Sequence, residues 1–542
     1  MTNLLTYMFK FHSIAFLAFA LISSTAPSTV AGQVTPAASP SVKNKPTARP
    51  ADPAALVAAI RNILDRPEYS RANVAVKVVS LADGRTIFER NAGKYLMPAS
   101  NMKNFTVAAA LETLTPEFRF KTGMYAPAPP DSAGTISGDL RIFGRGDVSI
   151  SAAFLGSTDP FAGIDRVADK IIALGVKRIE GDIVGDDSYF RGYRLPNTWE
   201  WDDLQWYYGA EISSLPINDN TIDVVVRPGP VGYSCAVNLV PFNPVMRVAN
   251  GCITAPAGTS PALSLQRRLD ENYLEIGGTI AAGSKEFSTR ISVARPAELF
   301  AALLRQRLID KHVEVIGGYR YEKRTDGSLP AGTLLAEIES VPLAEIAAKT
   351  MKPSQNMYTE VLLRTLGENE RTAIIQSAPN SPDARKTSAE LGVAAVSRFL
   401  ARIGLPADAI VQYDGSGLSR HNLITAEAVV RLYEYMSQES RFAKTWRDSL
   451  TIGSVDGTLQ NRFRGTSAAG NVRGKTGTID QVSSLSGYLK TGGGEEVIFS
   501  IIVNQMPTAT MRTGLIDEIV LLLADYKGRL SADLLRTDKI SR

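Results

Sequence analysis

The chain has 542 residues, 44% of them hydrophobic and 21% charged, with 59 Lys and Arg against 55 Asp and Glu. That length exceeds one ordinary hydrophobic core and points to two or three domains. The near balance of charge, without a basic tract, gives no ground for a nucleic-acid partner.

Lys10 precedes an apolar run from Ile14 to Ile22, and small residues lead to Thr29-Val30-Ala31. This pattern predicts a cleaved signal peptide over 1–31, the run being short for a bilayer span. Residues 32–53, rich in Ala, Pro, Ser and Thr, read as a disordered linker. A helical pattern runs from about Ala54 to Leu64. Asn73–Ser80 alternates as a strand, Asp83-Gly84 turns, and Arg85–Arg90 returns. A helix is expected from Ser100, because Phe105, Ala108, Ala109 and Leu111 repeat at helical spacing.

From 118 to 341 the texture becomes β-rich. Gly-containing strand pieces recur at Ile136–Leu140, Ile179–Ile183, Ile276–Ile280 and Val315–Tyr319, with amphipathic helices near Ile164–Leu174 and Ala297–Ile309. This segment reads as one or two inserted domains. Within it, Cys235 and Cys252 are the only cysteines, and in an exported chain so close a pair predicts a disulfide. Helical texture resumes at Leu343, with helices expected near Gln355–Leu366, Ala389–Ile403 and Ala426–Met436. Strands follow at Ser486–Lys490 and Val497–Asn504, then a helix at Leu515–Tyr526 and a polar tail over 531–542. Strands at both chain ends suit one sheet, giving a split domain of 54–117 and 342–530 around the insert.

Three strings carry the chemistry. In Ser100-Asn-Met-Lys103 the hydroxyl and the amine stand at i and i+3 of a helix, on one face. A serine needs an adjacent base, and a lysine becomes one when burial and a second cation strip its proton. Alone, Ser-x-x-Lys recurs by chance about once or twice in a chain this long. Ser354-Gln-Asn356 offers a hydroxyl to relay a proton between Lys103 and a leaving amine, and an amide to hold Lys103. Lys475-Thr476-Gly477-Thr478, placed just before a strand, offers a cation and two hydroxyls for a carboxylate. The N–H groups of Thr478 and Ser100 could frame an oxyanion hole, and Gly477 would let substrate backbone lie on the strand edge. Beyond the signal region the only histidines are His312 and His421, with no Gly-x-Ser-x-Gly elbow and no His-Glu-x-x-His. The reading is serine acyl transfer without a cofactor or metal.

The ordered triple is that of penicillin-binding proteins and related β-lactamases. The long insert between Ser100 and Ser354 narrows it further, as do Gly144-Arg-Gly-Asp147, Trp201-Asp-Asp-Leu204 with Tyr208-Gly209, Asn218-Asp-Asn220 and Asp414–Asn422. With these, the chain resembles the D-alanyl-D-alanine carboxypeptidase/endopeptidases of the penicillin-binding protein 4 type (low-molecular-mass class C). The resemblance implies an α+β serine β-lactamase/DD-peptidase fold: an antiparallel sheet flanked by helices, a helical lobe and a large β-rich insert. It implies Ser100 as nucleophile, Lys103 as base, Ser354 and Asn356 as relay, and Lys475, Thr476, Gly477 and Thr478 as substrate site. Asp203 would read the amino end of the peptide side chain, and Arg420 would be a substrate-facing cation. The Trp199, Trp201, Trp206, Tyr207 and Tyr208 cluster is expected in an interdomain core. The partners implied are peptidoglycan stem peptides and acylating β-lactams, and the compartment is the periplasm; oligomeric state is left open. A β-lactamase or esterase on the same scaffold is the second reading, and a non-catalytic wall-binding protein the third.

Overall fold

The computed structural model describes residue 50 and residues 52–325 and 328–530. The expected signal peptide (1–31), nearly all of the linker (32–53) and the C-terminal tail (531–542) lie outside the described residues.

Strands from the two ends of the chain form one six-stranded antiparallel sheet. Its order is Thr86–Arg90, Asn73–Ser80, Glu496–Asn504, Val482–Lys490, Arg473–Ile479 and Thr451–Ile452. The central strands are buried on both faces, and their period of two sorts side chains between two cores. Val76, Val78, Phe499 and Ile501 face the helices Pro53–Leu64 and Ala509–Asp525, which supply Leu56, Ile60, Leu515 and Ile519. Ala75, Val79, Ile498 and Ile502 face the opposite layer, with Phe105, Leu362 and Tyr433 from three further helices. Each fully buried side chain of this size contributes about 1.5–3 kcal/mol, so the sheet holds a helical layer on either face.

Several element bounds differ from the sequence expectation for local reasons. The helix at Asn356 continues past Leu366 to Ser377, because a buried Glu368–Arg371 ion pair (2.9 Å) carries its face beyond the apolar repeat. The last helix starts at Ala509, where Thr508 caps the N–H of Met511. The Lys475 string does not precede a strand; it lies inside Arg473–Ile479.

In the 118–341 region, three of the four Gly-containing pieces are corners rather than strands. Thr135–Ile136, Arg178–Ile179 and Glu314–Val315 form a small parallel sheet. After each glycine the chain passes into a five-stranded sheet through Leu140–Gly144, Ile183–Asp186 and Tyr319–Glu322. The fourth piece sits within the strand Tyr273–Ala281. Cys235 and Cys252 are joined as a disulfide, with 5.4 Å between their Cα atoms.

Candidate active site

The chain enters the nucleophile turn through Pro98 and Ala99, the latter at φ +48°, and Ala99–Met102 makes a tight turn before the helix Lys103–Leu114. Two neighbours fasten this turn to the sheet. Asn101 donates to the Lys475 carbonyl (3.1 Å) and to Ser484 Oγ (2.6 Å), while Ser484 donates to the Pro98 carbonyl (2.8 Å). The backbone also passes very close. A Cβ on Gly477 would lie 2.5 Å from the Pro98 carbonyl and 3.0 Å from the Ser100 nitrogen, and one on Gly417 would lie 1.8 Å from the Ala99 carbonyl. A glycine at 477 thus lets the turn that bears Ser100 approach the strand closely.

Lys103 is fully buried, and its Nζ donates to Ser100 Oγ (2.9 Å), Asn356 Oδ1 (2.6 Å) and the Ser416 carbonyl (2.7 Å). Three donors with three acceptors satisfy an ammonium completely. Burial nonetheless pushes its pKa down to about 7, against the pull of the Asp414 and Glu360 carboxylates. The amine can therefore shed a proton near neutrality and present a lone pair to the Ser100 hydroxyl. Asn356 also donates to the Tyr208 carbonyl (2.9 Å), tying Lys103 to the insert. Gln355 caps its own helix by accepting from the N–H of Met357, consistent with no part in the site.

Ser354 stands at φ +66° and accepts from Lys475 Nζ at 2.9 Å. The three donors of Lys103 go to Ser100, Asn356 and Ser416, and the hydrogen bond that Ser354 accepts comes from Lys475. Lys475 is buried too and donates to the Thr476 carbonyl (2.8 Å). Burial, then repulsion from Lys103, holds its pKa well below the usual lysine range. Two amines so placed share charge poorly, and an arriving carboxylate would restore the cation at Lys475.

The strand bearing Lys475 pairs along its whole length with Val482–Lys490, but on its other side only Arg473 and Gly474 are paired. From Lys475 to Ile479 that edge is open among the described residues. Thr478 is exposed on it, and Thr476 Oγ1 bonds Thr458 Oγ1 at 2.7 Å. An extended peptide can add to such an edge by backbone hydrogen bonds.

Asp203 is half-buried, and its pKa is raised to about 6 by burial and by the nearby Asp202 and Glu200, while the Tyr208 hydroxyl bonds it. Because Tyr208 also accepts from Asn356, this carboxyl joins the same network. Arg420 pairs with Glu200 (2.9 Å) and donates to the Asp480 carbonyl (3.0 Å). It bridges the insert to the end of the Lys475 strand. The aromatic cluster does not form one core: Trp201 is 66% exposed and Tyr207 44%, whereas Trp199 is buried. His421 packs edge-on against Tyr413.

Sequence reasoning left the roles of Asn101, Glu360 and Asp414 unassigned, and placed Trp199 only in an aromatic core. Buried Asp414 accepts from the backbone N–H of Gly417 (2.7 Å) and Ser419 (2.7 Å), from Asn422 (2.7 Å) and from Trp199 Nε1 (2.8 Å). It organises the loop whose Ser416 carbonyl receives Lys103. The Asp-Gly-Ser-Gly string was visible, but which partners converge on its carboxylate was not. Trp199→Phe keeps an aromatic ring, though a smaller one, and removes one donor to a buried carboxylate. It is expected to cost about 1–3 kcal/mol, read as a shift in the urea midpoint at unchanged slope.

Comparison with known proteins agrees with this geometry. The model of the D-Ala-D-Ala carboxypeptidase 3 (S13) family matches residues 56–526. The D-alanyl-D-alanine carboxypeptidase of Actinomadura sp. (strain R39) is 33% identical over 86% of this chain and 84% of that one. D-alanyl-D-alanine carboxypeptidase DacB of Haemophilus influenzae is 26% identical over 82% of this chain and 88% of its own. The crystal structure of penicillin binding protein 4 (dacB) from Haemophilus influenzae shares the fold, with TM-score 0.69 at 23% identity, covering 85% of this chain and 99% of that one. The α+β architecture is that of the serine β-lactamase/DD-peptidase fold. The chain belongs to the D-Ala-D-Ala carboxypeptidase 3 (S13) family.

Proposed function

We propose that this serine D-Ala-D-Ala carboxypeptidase acts on peptidoglycan stem peptides through an acyl-enzyme on Ser100. The observation that carries the reading is that three distant strings meet through two sets of hydrogen bonds: Ser100 to Lys103 to Asn356, and Lys475 to Ser354, with Ser354 and Asn356 two residues apart in the chain. Neutral Lys103 accepts the hydroxyl proton as Ser100 Oγ attacks the carbonyl between the two D-alanines. The N–H groups of Ser100 and Thr478 stabilise the oxyanion. Lys475, with Thr476 and Thr478, holds the terminal carboxylate against the open strand edge. Ser354, its oxygen held by Lys475, gives its O–H proton to the leaving nitrogen and is replenished with the proton that Lys103 took from Ser100, which leaves Lys103 neutral for the second step. Water then attacks the ester, its proton passing to Lys103 and back to Ser100.

The same geometry suits a β-lactam, whose carbonyl and carboxylate would occupy the two places of the substrate. A cross-link peptide with a free carboxyl end fits the edge equally, so endopeptidase action belongs to this reading. Asp203 would read a cationic side-chain end. The catalytic unit would comprise 54–117 and 342–530, with 118–341 inserted. Periplasmic residence is supported by the apolar run near the N-terminus; among the described residues no helix is long and apolar enough to cross a membrane.

Intact mass after penicillin treatment, with peptide mapping, tests the reading: one adduct on Ser100 is expected, and an unmodified chain, or an adduct elsewhere, overturns it. Fast release of that adduct would instead favour a β-lactamase. The reaction needs Lys103 uncharged, and its folded pKa is about 7 against an ordinary 10.5. The acylation rate should therefore rise with pH through about 7 and level above it, as stopped-flow measurement at varied pH would reveal.

A further inference from the structure

The helix Asn356–Ser377 presents Asn356, Glu360 and Arg364 on successive turns of one face. Asn356 contacts the base. Glu360 is 1% exposed, and its Oε1 accepts the backbone N–H of Gly415 (2.9 Å) and of Ser416 (2.8 Å). The carbonyl of that same Ser416 receives Lys103 Nζ at 2.7 Å. One residue of the loop is thus gripped by an anion through its N–H while its carbonyl grips the general base. Asp414 builds the loop, and Glu360 holds it against Lys103. Behind Glu360 stands Arg364, 3% exposed, which donates to the Arg194 carbonyl (3.4 Å); its Nε and Nη1 have no hydrogen-bond partner among the described residues.

We propose that Glu360 is a positioning residue for the reaction, fixing the Ser416 carbonyl on Lys103 and setting a negative charge behind the base. This rests on the role given to Lys103 above. A buried carboxylate is costly to desolvate. A glutamine oxygen could accept the same two N–H groups without that cost, so the charge itself is the feature to explain. The charged groups around Glu360 are Asp414 on the loop and Arg364 on its own helix; Lys103 feels its charge from the nucleophile helix, Lys475 follows Lys103, and Asp187 of the insert acts on Arg364. Burial, then Asp414, raises Glu360 to about 7, and its carboxylate in turn favours the charged form of Lys103.

The sign is fixed. An anion beside Lys103 favours its protonated form, so removing the anion frees the base at lower pH. In Glu360→Gln the acidic limb of the penicillin acylation profile is expected to move down by roughly 1 pH unit. Glu360→Asp keeps the charge but withdraws it from the loop; it should leave the limb in place and slow acylation about tenfold. Arg364→Met, which removes the cation favouring charged Glu360, should move the limb in the same direction as Glu360→Gln and serves if that variant does not fold. An unmoved limb in Glu360→Gln or Arg364→Met, or an equal shift in Glu360→Asp, overturns the proposal. The wild-type adduct is mapped first: its absence from Ser100 sinks the acyl-enzyme reading, whereas its presence with an unmoved limb sinks only the role of Glu360.

Discussion

Ser100→Ala is expected to abolish the penicillin adduct and to lower kcat/KM for a D-Ala-D-Ala peptide by about 10⁴-fold or more. The substitution removes the atom that forms the ester and leaves the fold alone, since the turn is held by Asn101 and Ser484 rather than by the Ser100 hydroxyl. Lys103→Met should cost about 10³- to 10⁵-fold in acylation. Methionine fills the buried stem but cannot take the Ser100 proton, and it leaves Asn356 Oδ1 and the Ser416 carbonyl without their shared donor. Because the two side chains act on one proton, the double variant should be no slower than Ser100→Ala alone. Additive losses in intact-mass and steady-state assays would show that they do not act as a unit.

The second large effect is expected at Gly417. This residue sits at φ +84°, and an added Cβ would come within 1.8 Å of the Ala99 carbonyl. That contact is backbone against backbone, so no side-chain rotation relieves it. Ala99 is itself at φ +48° and immediately precedes the nucleophile. In Gly417→Ala the turn must therefore shift as a body, carrying Ser100 away from Lys103. A displacement of about 1 Å costs about 10²-fold in rate, and the strain should lower stability by about 3–5 kcal/mol. Denaturant unfolding and the acylation rate measure both effects. A variant with wild-type rate would mean that the loop yields instead of the nucleophile turn.

Much of the architecture was readable because its causes are local. Asn73–Ser80 forms the strand expected, and the helix expected near Ala426–Met436 runs over Ala426–Gln438. The errors have causes beyond the local pattern. Three Gly-containing pieces read as strands because apolar residues flank each glycine, but the flanks lie in two different sheets. The helix from Asn356 outruns its apolar repeat because a buried ion pair substitutes for hydrophobic contact. Trp199 and Trp201 look alike in sequence; one finds a carboxylate in the interior and the other faces solvent.

The site divides the same way. Residue types at short spacing singled out the proposed nucleophile and base: a hydroxyl and an amine three positions apart can touch on one helical face, and Lys103 does donate to Ser100. The order of the three strings determined the class of chemistry. Only the tertiary structure decided that Ser354 is held by Lys475, that Gly477 makes room for the nucleophile turn, and that Glu360 and Asp414 hold the carbonyl facing Lys103. Hydrogen-bond partners and desolvation depend on groups hundreds of residues apart in the chain, and a lysine becomes a base only when the packed interior closes around it.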